Sequence, residues 1–79
     1  MDQIAKFLRK LQPKLRKQIV AIIKQLISGK TKGLDIGALQ GQEDWYRCKK
    51  GKIRIIYYKT KNKEVVIFEI RFRGDAYKR

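Results

Sequence analysis

Cationic and aromatic side chains alternate with apolar ones along the stretch Trp45–Tyr58. If this stretch forms two antiparallel strands joined by a turn at Lys50-Gly51, successive side chains point to opposite faces. One face then carries Tyr46, Cys48, Ile53, Ile55 and Tyr57. The other face carries Trp45, Arg47, Lys49, Arg54, Ile56 and Tyr58. Cations among flat aromatic rings suit RNA or single-stranded DNA, although a sheet whose outer face is only solvated fits the same pattern.

The residue types of the chain exclude most enzyme mechanisms. No histidine is present, so neither a Ser-His-Asp triad nor a Cys-His pair can form. The 7 acidic residues are scattered, which disfavours glycoside hydrolysis and two-metal catalysis, and the single thiol of Cys48 cannot build a zinc site. We therefore expect no metal and no small-molecule cofactor.

Cleavage of RNA remains possible, because the 2′-hydroxyl of the substrate is itself the nucleophile. The protein has to hold the scissile phosphate, offset the charge that develops on its oxygens, and move protons. Arginine, lysine and tyrosine side chains are suited to these tasks. The candidates are Arg47, Lys49, Arg54, Arg71 and Tyr77. The same residues also suit a protein that binds phosphates without cutting them.

The chain of 79 residues is strongly basic, with 21 Lys and Arg against 7 Asp and Glu and a net charge of +14. This charge exceeds what solubility needs and opposes folding by self-repulsion, so an anionic partner is expected. Nucleic acid, an acidic protein and an anionic membrane surface all qualify.

No apolar run approaches the ~20 residues that span a bilayer, and no signal peptide is recognisable. A single cysteine also excludes an internal disulfide, so we predict a cytoplasmic protein. The length allows one domain, residues 1–79.

Two amphipathic helices are predicted before Gly29. Asp2 is a suitable N-cap for the first, and Gln12-Pro13 separates it from the second, which runs from about Pro13 to Ser28. Gly29 suits the position that ends this helix. The outer helix faces carry basic charges only, at Lys6, Arg9, Lys10, Lys14, Arg16, Lys17 and Lys24. The apolar faces are expected to cover the sheet, which leaves none for a lipid surface.

Three antiparallel strands are predicted after a glycine-punctuated loop, Lys30–Asp44, in which Leu34, Ile36 and Leu39 tuck under the sheet edge. The strands are Trp45–Lys49, Lys52–Lys59 and Glu64–Phe72. In the third strand, alternation places Val66, Phe68 and Ile70 against the helices. It places Val65, Ile67, Glu69, Arg71 and Arg73 on the outer face. The predicted fold is therefore α+β, an N-terminal α-hairpin packed on one side of a small antiparallel sheet.

Three short motifs occur in a fixed order: L-x-G-x-x-x-W-Y-R from Leu39 to Arg47, G-K-I-R-I-I-Y from Gly51 to Tyr57, and R-F-R-G-D-A-Y-K from Arg71 to Lys78. With the preceding α-hairpin, this order resembles the RelE branch of the RelE/ParE toxin superfamily. The resemblance implies a RelE-like microbial ribonuclease-type fold. That family usually begins with a strand that pairs into the sheet, and this strand is missing here. We therefore expect an open sheet edge, available for strand addition by a partner.

The resemblance also implies roles for individual residues. Arg54 matches the arginine that stabilises the scissile phosphate, and Arg47 and Lys49 match two basic residues of the preceding strand, one of them tied to proton transfer. Arg47 stands where lysine is common, and arginine is the poorer proton carrier. Arg71 matches an acid or charge stabiliser, and Tyr77 matches a tyrosine that stacks on the base or assists proton transfer.

Other side chains on or near the outer face are expected to contact RNA. They are Trp45, Lys50, Lys52, Tyr58 and Arg73. Partly buried packing explains Trp45 and Tyr58 at least as well, and a cross-sheet ion pair with Glu69 is the structural alternative for Arg54.

By resemblance, the chain is expected to be a toxin that cleaves mRNA in the ribosomal A site and so inhibits translation. Its partners would then be the ribosome, mRNA and a RelB-like antitoxin. The antitoxin's acidic segment would lie across the basic face or the open sheet edge. Two alternatives stay open: a ParE-like toxin that targets DNA gyrase without cutting RNA, and a basic RNA- or DNA-binding module without catalysis.

Overall fold

A computed structural model describes residues 3–73, so the expected N-cap Asp2 and the candidate Tyr77 lie outside the described residues. Two helices precede four strands: α1 (Gln3–Lys10), α2 (Pro13–Ser28), β1 (Asp35–Ala38), β2 (Trp45–Lys50), β3 (Ile53–Lys59) and β4 (Val65–Phe72). The strands pair antiparallel in the order β1-β2-β3-β4. The predicted α+β arrangement of a helical hairpin and an antiparallel sheet is confirmed.

Local sequence fixes the two ends of α2 where they were predicted. Pro13 occupies the first turn, and Gly29 ends the helix in the left-handed conformation, with φ of 80°. One predicted outer cation behaves differently. Arg16 is half-buried and donates hydrogen bonds to the carbonyl oxygens of Leu8 at 2.9 Å and Leu11 at 2.8 Å. It therefore satisfies carbonyls at the end of α1 and ties the two helices together.

The prediction that residues 30–44 form a loop throughout is wrong at its centre. Asp35–Ala38 forms β1, which pairs with β2 so that Ile36 lies opposite Cys48 and Gly37 lies opposite Arg47. Aspartate, glycine and alanine are poor strand formers, so the segment carries almost no local strand signal. Its conformation comes from pairing with the neighbouring strand.

The predicted faces of β4 are wrong in its first half. The register shifts at a β-bulge, because Ile56 lies opposite Glu69 whereas the next residue, Tyr57, lies opposite Ile67. Phe68 is the extra residue. A bulge inverts the inside–outside alternation beyond it. Val65 and Ile67 therefore pack against the core, whereas Val66 and Phe68 are 36% and 55% exposed.

The core lies between the helices and the inner face of the sheet. Its buried residues are Phe7, Leu11, Ile19, Ile22, Leu26, Cys48, Ile53, Ile55, Tyr57 and Ile70. The five inner-face residues predicted for β2 and β3 all lie on this side. Burial, reinforced by the carboxylate of Asp35, raises the pKa of the Cys48 thiol. The thiol is therefore a neutral packing group at physiological pH and not a reactive one.

The free edge of β4 is partly covered by a side chain. Gln3, at the start of α1, donates from Nε2 to the carbonyl oxygen of Ile70 at 2.6 Å. The N–H of Ile70 donates in return to Oε1 of Gln3 at 3.1 Å. The glutamine amide thus makes the pair of hydrogen bonds that an adjacent strand would make. Within residues 3–73, no strand pairs with this edge.

Candidate functional site

The register of the sheet sorts the outer-face side chains into three rows that run across the strands. The first, which we call the basic row, contains Asp35, Lys49, Arg54 and Arg71. The middle row contains Gly37, Arg47, Ile56 and Glu69. The aromatic row contains Trp45, Tyr58 and Val66, with the bulged residue Phe68 beside it. Antiparallel pairing thus collects cations from separate parts of the sequence.

A groove of about 360 Å³ lies at the end of the basic row, lined by Asp35, Lys49, Gly51, Arg54 and Arg73. We call it the basic groove. Arg73 reaches it because the last strand ends there, and the N–H of Arg73 donates to the carbonyl of Lys52 in the β2–β3 turn. The groove therefore brings together three cationic side chains and one carboxylate.

Arg71 is held differently from Arg73. Its Nη2 lies 2.7 Å from Oε2 of Glu69, so Glu69 pairs with Arg71 along β4 and not with Arg54 across the sheet. Both residues are partly exposed, and the pair screens the charge of Arg71. Of the two arginines at the end of β4, Arg73 is the one that lines the basic groove.

Arg54 and Arg71 face each other directly across β3 and β4. Like charges at directly opposite positions destabilise a sheet. The Nε atoms of both side chains are buried and have no hydrogen-bond partner among the described residues. Buried donors without partners are costly, so this arrangement suits a ligand that brings negative oxygen atoms. A phosphate group supplies such oxygens, and arginine matches its geometry.

Arg47 lies in the middle row, outside the residues that line the basic groove. Its guanidinium group lies against the backbone of β1, where Nη1 reaches the carbonyl oxygen of Ala38 at 3.5 Å. A Cβ atom added at Gly37 would lie only 3.0 Å from this Nη1. Glycine at this position therefore makes room for the arginine. The structure separates Arg47 by one row from Lys49, Arg54 and Arg71.

Trp45 packs against two aromatic rings. Its ring centroid lies 4.7 Å from that of Tyr58 and 5.1 Å from that of Phe68, the second contact being edge-to-face. Trp45 and Tyr58 are half-buried, which fits the predicted partly buried packing, and their contact with RNA stays a prediction. Sequence reasoning missed Phe68, which was assigned to the core. No signal in the alternation of β4 marks the bulge that exposes it.

The two turn lysines lie on different sides. Lys52 is exposed in the turn beside the basic groove, and Lys50 lies opposite the buried Ile53, on the helix-facing side of the sheet. On that side, Tyr46 and Tyr57 stack with centroids 5.4 Å apart in the wall of a groove of about 440 Å³. Burial, with contributions from Cys48 and Tyr46, raises the pKa of Tyr57. Its phenol therefore stays protonated at neutral pH.

Two absences concern the described part of the chain only. Across residues 3–73, no three His, Cys, Asp or Glu side chains cluster closely enough to hold a metal ion. No helix in the same range combines the length and apolar character needed to cross a lipid bilayer.

Comparison with known proteins places the chain among toxins. The family model "ParE toxin of type II toxin-antitoxin system, parDE" matches residues 1–77. The fold is similar to the RelB-RelE antitoxin-toxin complex of Methanococcus jannaschii, with a TM-score of 0.77 and 23% identity over 92% of this chain and 87% of that one. The RelE-RelB complex of Pyrococcus horikoshii OT3 gives 0.74 and 23%, over 94% and 90%. No curated protein sequence matches significantly.

Proposed function

The chain belongs to the ParE toxin family of type II toxin–antitoxin systems, and on that premise we propose that this toxin is a ribosome-dependent mRNA endoribonuclease. The observation that carries the proposal is the basic groove, in which Lys49, Arg54 and Arg73 surround one space. The fold that it shares with the two RelE chains supports the RelE-like reading, as do the motifs on β3 and β4. Its place of action would be the cytoplasm, where mRNA is translated.

The proposed reaction uses the substrate's own nucleophile. The 2′-oxygen of a ribose forms a bond to the adjacent phosphorus, and the bond from phosphorus to the 5′-oxygen of the next nucleotide breaks. The 2′-hydroxyl loses a proton and the leaving oxygen gains one, so the products are a 2′,3′-cyclic phosphate and a 5′-hydroxyl end. The protein contributes positioning, charge stabilisation and proton transfer.

The groove arginines are the phosphate clamp in this scheme. Arg54 and Arg73 bind the non-bridging oxygens and stabilise the negative charge that grows on them in the transition state. Lys49 and Tyr77 are assigned to proton transfer, Lys49 from the groove wall and Tyr77 by its match to the family motif. Arg71, which is paired with Glu69, adds positive charge beside Arg54 on the neighbouring strand. Arg47 and Lys52 hold neighbouring phosphates of the strand.

Primer extension on mRNA from a translating extract tests the proposal. Discrete cuts within codons are expected only when ribosomes are present, and Arg54→Ala and Arg73→Ala should each abolish them. Arg9→Ala is the matched control, because it removes one exposed arginine from α1, away from the groove. Translation that stops without any cut would refute the nuclease and leave a binding module. Cuts that survive in Arg54→Ala would refute the site.

An antitoxin is the partner that such a toxin requires. The Methanococcus jannaschii and Pyrococcus horikoshii OT3 structures are both complexes of RelE with RelB. A RelB-like antitoxin with an acidic segment would offset the net charge of +14. Two surfaces suit it: the basic groove, through charge, and the free edge of β4 beyond Gln3, through strand addition. Full activity of the toxin in the presence of its co-expressed genomic neighbour would contradict this assignment.

The family model also favours a second candidate, a ParE-like toxin that acts on DNA gyrase. The two candidates differ in what the basic groove does, because a gyrase poison has no need of a phosphate clamp for RNA. A supercoiling assay separates them. Inhibition of gyrase that persists in the Arg54→Ala/Arg73→Ala double variant, without mRNA cuts by the wild type, would establish the second candidate.

A further inference from the structure

Phe68 is exposed because of the β-bulge in β4. The bulge at Phe68 turns the side chain to the outer face, where it remains 55% exposed and makes an edge-to-face contact with Trp45. Burying a phenylalanine side chain stabilises a small domain, and strict alternation along β4 would have pointed it towards the helices. The chain instead places a third aromatic ring beside Trp45 and Tyr58 on the cationic side of the sheet.

The aromatic row continues the surface of the basic groove. Trp45 and Lys49 lie four residues apart on β2, on the same face, which corresponds to about 13 Å along the strand. Arg47 lies between them. The acid of the middle row, Glu69, is already paired with Arg71. Two exposed acids, Glu43 and Asp44, precede Trp45 beyond the far end of the row. A strand that leaves the groove towards the aromatic row therefore meets a cation first and aromatic rings next.

We propose that Trp45, Tyr58 and Phe68 form a stacking subsite for an unpaired base of the RNA strand whose phosphates lie in the basic groove. The identity of the ligand as RNA rests on the proposed function; the subsite rests on the aromatic cluster. Ring faces of unpaired bases stack on aromatic side chains, whereas a duplex keeps these faces stacked on one another. The subsite therefore selects single-stranded over double-stranded nucleic acid.

An apolar patch of this kind also suits a protein partner, and its surroundings favour the nucleic acid. The three aromatic members are flat rings, and the surface that leads to them carries Lys49 and Arg47 on the same strand. A protein partner that only needed apolar contact would not require this alignment with the phosphate-binding groove. Docking of the antitoxin at Phe68 is the competing outcome of the experiment below.

Trp45 provides the readout, because it is the only tryptophan of the chain. A single-stranded 2′-O-methyl RNA is the probe, since its blocked 2′-oxygen prevents cleavage. Its binding to the full chain should quench the Trp45 fluorescence, and the corresponding duplex should bind without comparable quenching. Phe68→Leu keeps an apolar side chain but removes the ring, so affinity for the single strand should fall about 5- to 150-fold. The salt dependence of binding should not change, because phosphate contacts remain.

Ile27→Ala is the control, since Ile27 is an apolar side chain of similar exposure, 57%, that lies on α2 and outside the aromatic row. It should bind the probe like the wild type, and thermal melting should show that both variants are folded. Equal affinity of Phe68→Leu and the wild type, or equal quenching by the duplex, would overturn the proposal. Loss of antitoxin binding with unchanged RNA binding would assign the patch to the protein partner.

The outcome is independent of the nuclease proposal. If mRNA is not cut but Phe68→Leu still weakens single-strand binding, the subsite stands and the catalytic assignment falls. If mRNA is cut but the probe does not quench Trp45, the catalytic assignment stands and the subsite falls.

Discussion

The same four strands make two faces with opposite properties. The inner face contributes Cys48, Ile53, Ile55, Tyr57 and Ile70 to a core without a buried charge among the described residues. The outer face places Arg54 opposite Arg71 and adjacent to Lys49. The inner face thus stabilises the fold by burying apolar side chains, whereas the like charges on the outer face destabilise it. This repulsion fits the proposal that a ligand of opposite charge binds at the outer face.

The largest expected effect is the loss of an inner-face side chain. Ile55 is fully buried, so Ile55→Ala should lower the free energy of unfolding by about 2–5 kcal/mol. Its neighbour on the outer face, Ile56, is only half-buried, and Ile56→Ala should cost clearly less. Urea unfolding of both variants measures the difference between the faces. Equal losses would show that the two faces contribute alike to the core.

The next effect separates activity from stability on the outer face. Arg54→Met should lower the rate of mRNA cleavage about 10²–10³-fold, because one stabiliser of the transition-state charge is lost. The same change removes the like-charge contact with Arg71, so the free energy of unfolding should rise by a few tenths of a kcal/mol, up to about 1 kcal/mol. Cleavage assays measure the change in rate, and urea unfolding measures the change in the free energy of unfolding. A variant that loses activity only because it unfolds would contradict this reading.

Loss of the ion pair between Glu69 and Arg71 on β4 should have a smaller effect, which lowers stability but raises RNA affinity. Glu69→Gln breaks the 2.7 Å contact to Arg71 and costs at most about 1 kcal/mol of stability, since both side chains are partly exposed. The released arginine should bind a further phosphate. RNA affinity should therefore rise at low salt, and the slope of log affinity against log salt should steepen by about 0.7. An unchanged slope would show that Arg71 does not face the strand.

The smallest effect is confined to alkaline pH and to the inner face. Burial raises the pKa values of Cys48 and Tyr57 in the folded state. The unfolded chain ionises first, so stability is complete below about pH 8.5 and falls as pH rises towards the folded pKa of Cys48. Cys48→Ala removes the part of this fall that begins near pH 8.5. Urea melts from pH 7 to pH 10 test it, and identical pH slopes for variant and wild type would contradict it.

Local signals in the sequence predicted the elements that local chemistry fixes. Pro13 and Gly29 set the ends of α2, and alternation around the Lys50-Gly51 turn sorted β2 and β3 correctly. β1 escaped prediction because its strand conformation depends on pairing with β2 and not on its own residues. The bulge at Phe68 was not predicted, because one inserted residue in a strand of mostly apolar residues does not change the sequence pattern visibly.

The candidate site was predictable as a set of residue types on one face but not as a geometry. Alternation placed Arg47, Lys49 and Arg54 together, whereas only the rows across the strands show that Arg47 lies outside the groove. The distinct positions of Arg71 and Arg73 depend on Glu69 and on the end of β4. Such differences arise from cross-strand register, and a sequence pattern of period two does not contain that register.

The amide pair between Gln3 and Ile70 joins positions that are 67 residues apart. During synthesis, both helices leave the ribosome long before β4 exists, and contacts of such wide separation form late. Until β4 and Arg73 have been synthesised, the helical hairpin has no complete sheet to cover, and the basic groove lacks Arg73. The surface proposed to cut mRNA would then be assembled only after the last of the described strands has been synthesised.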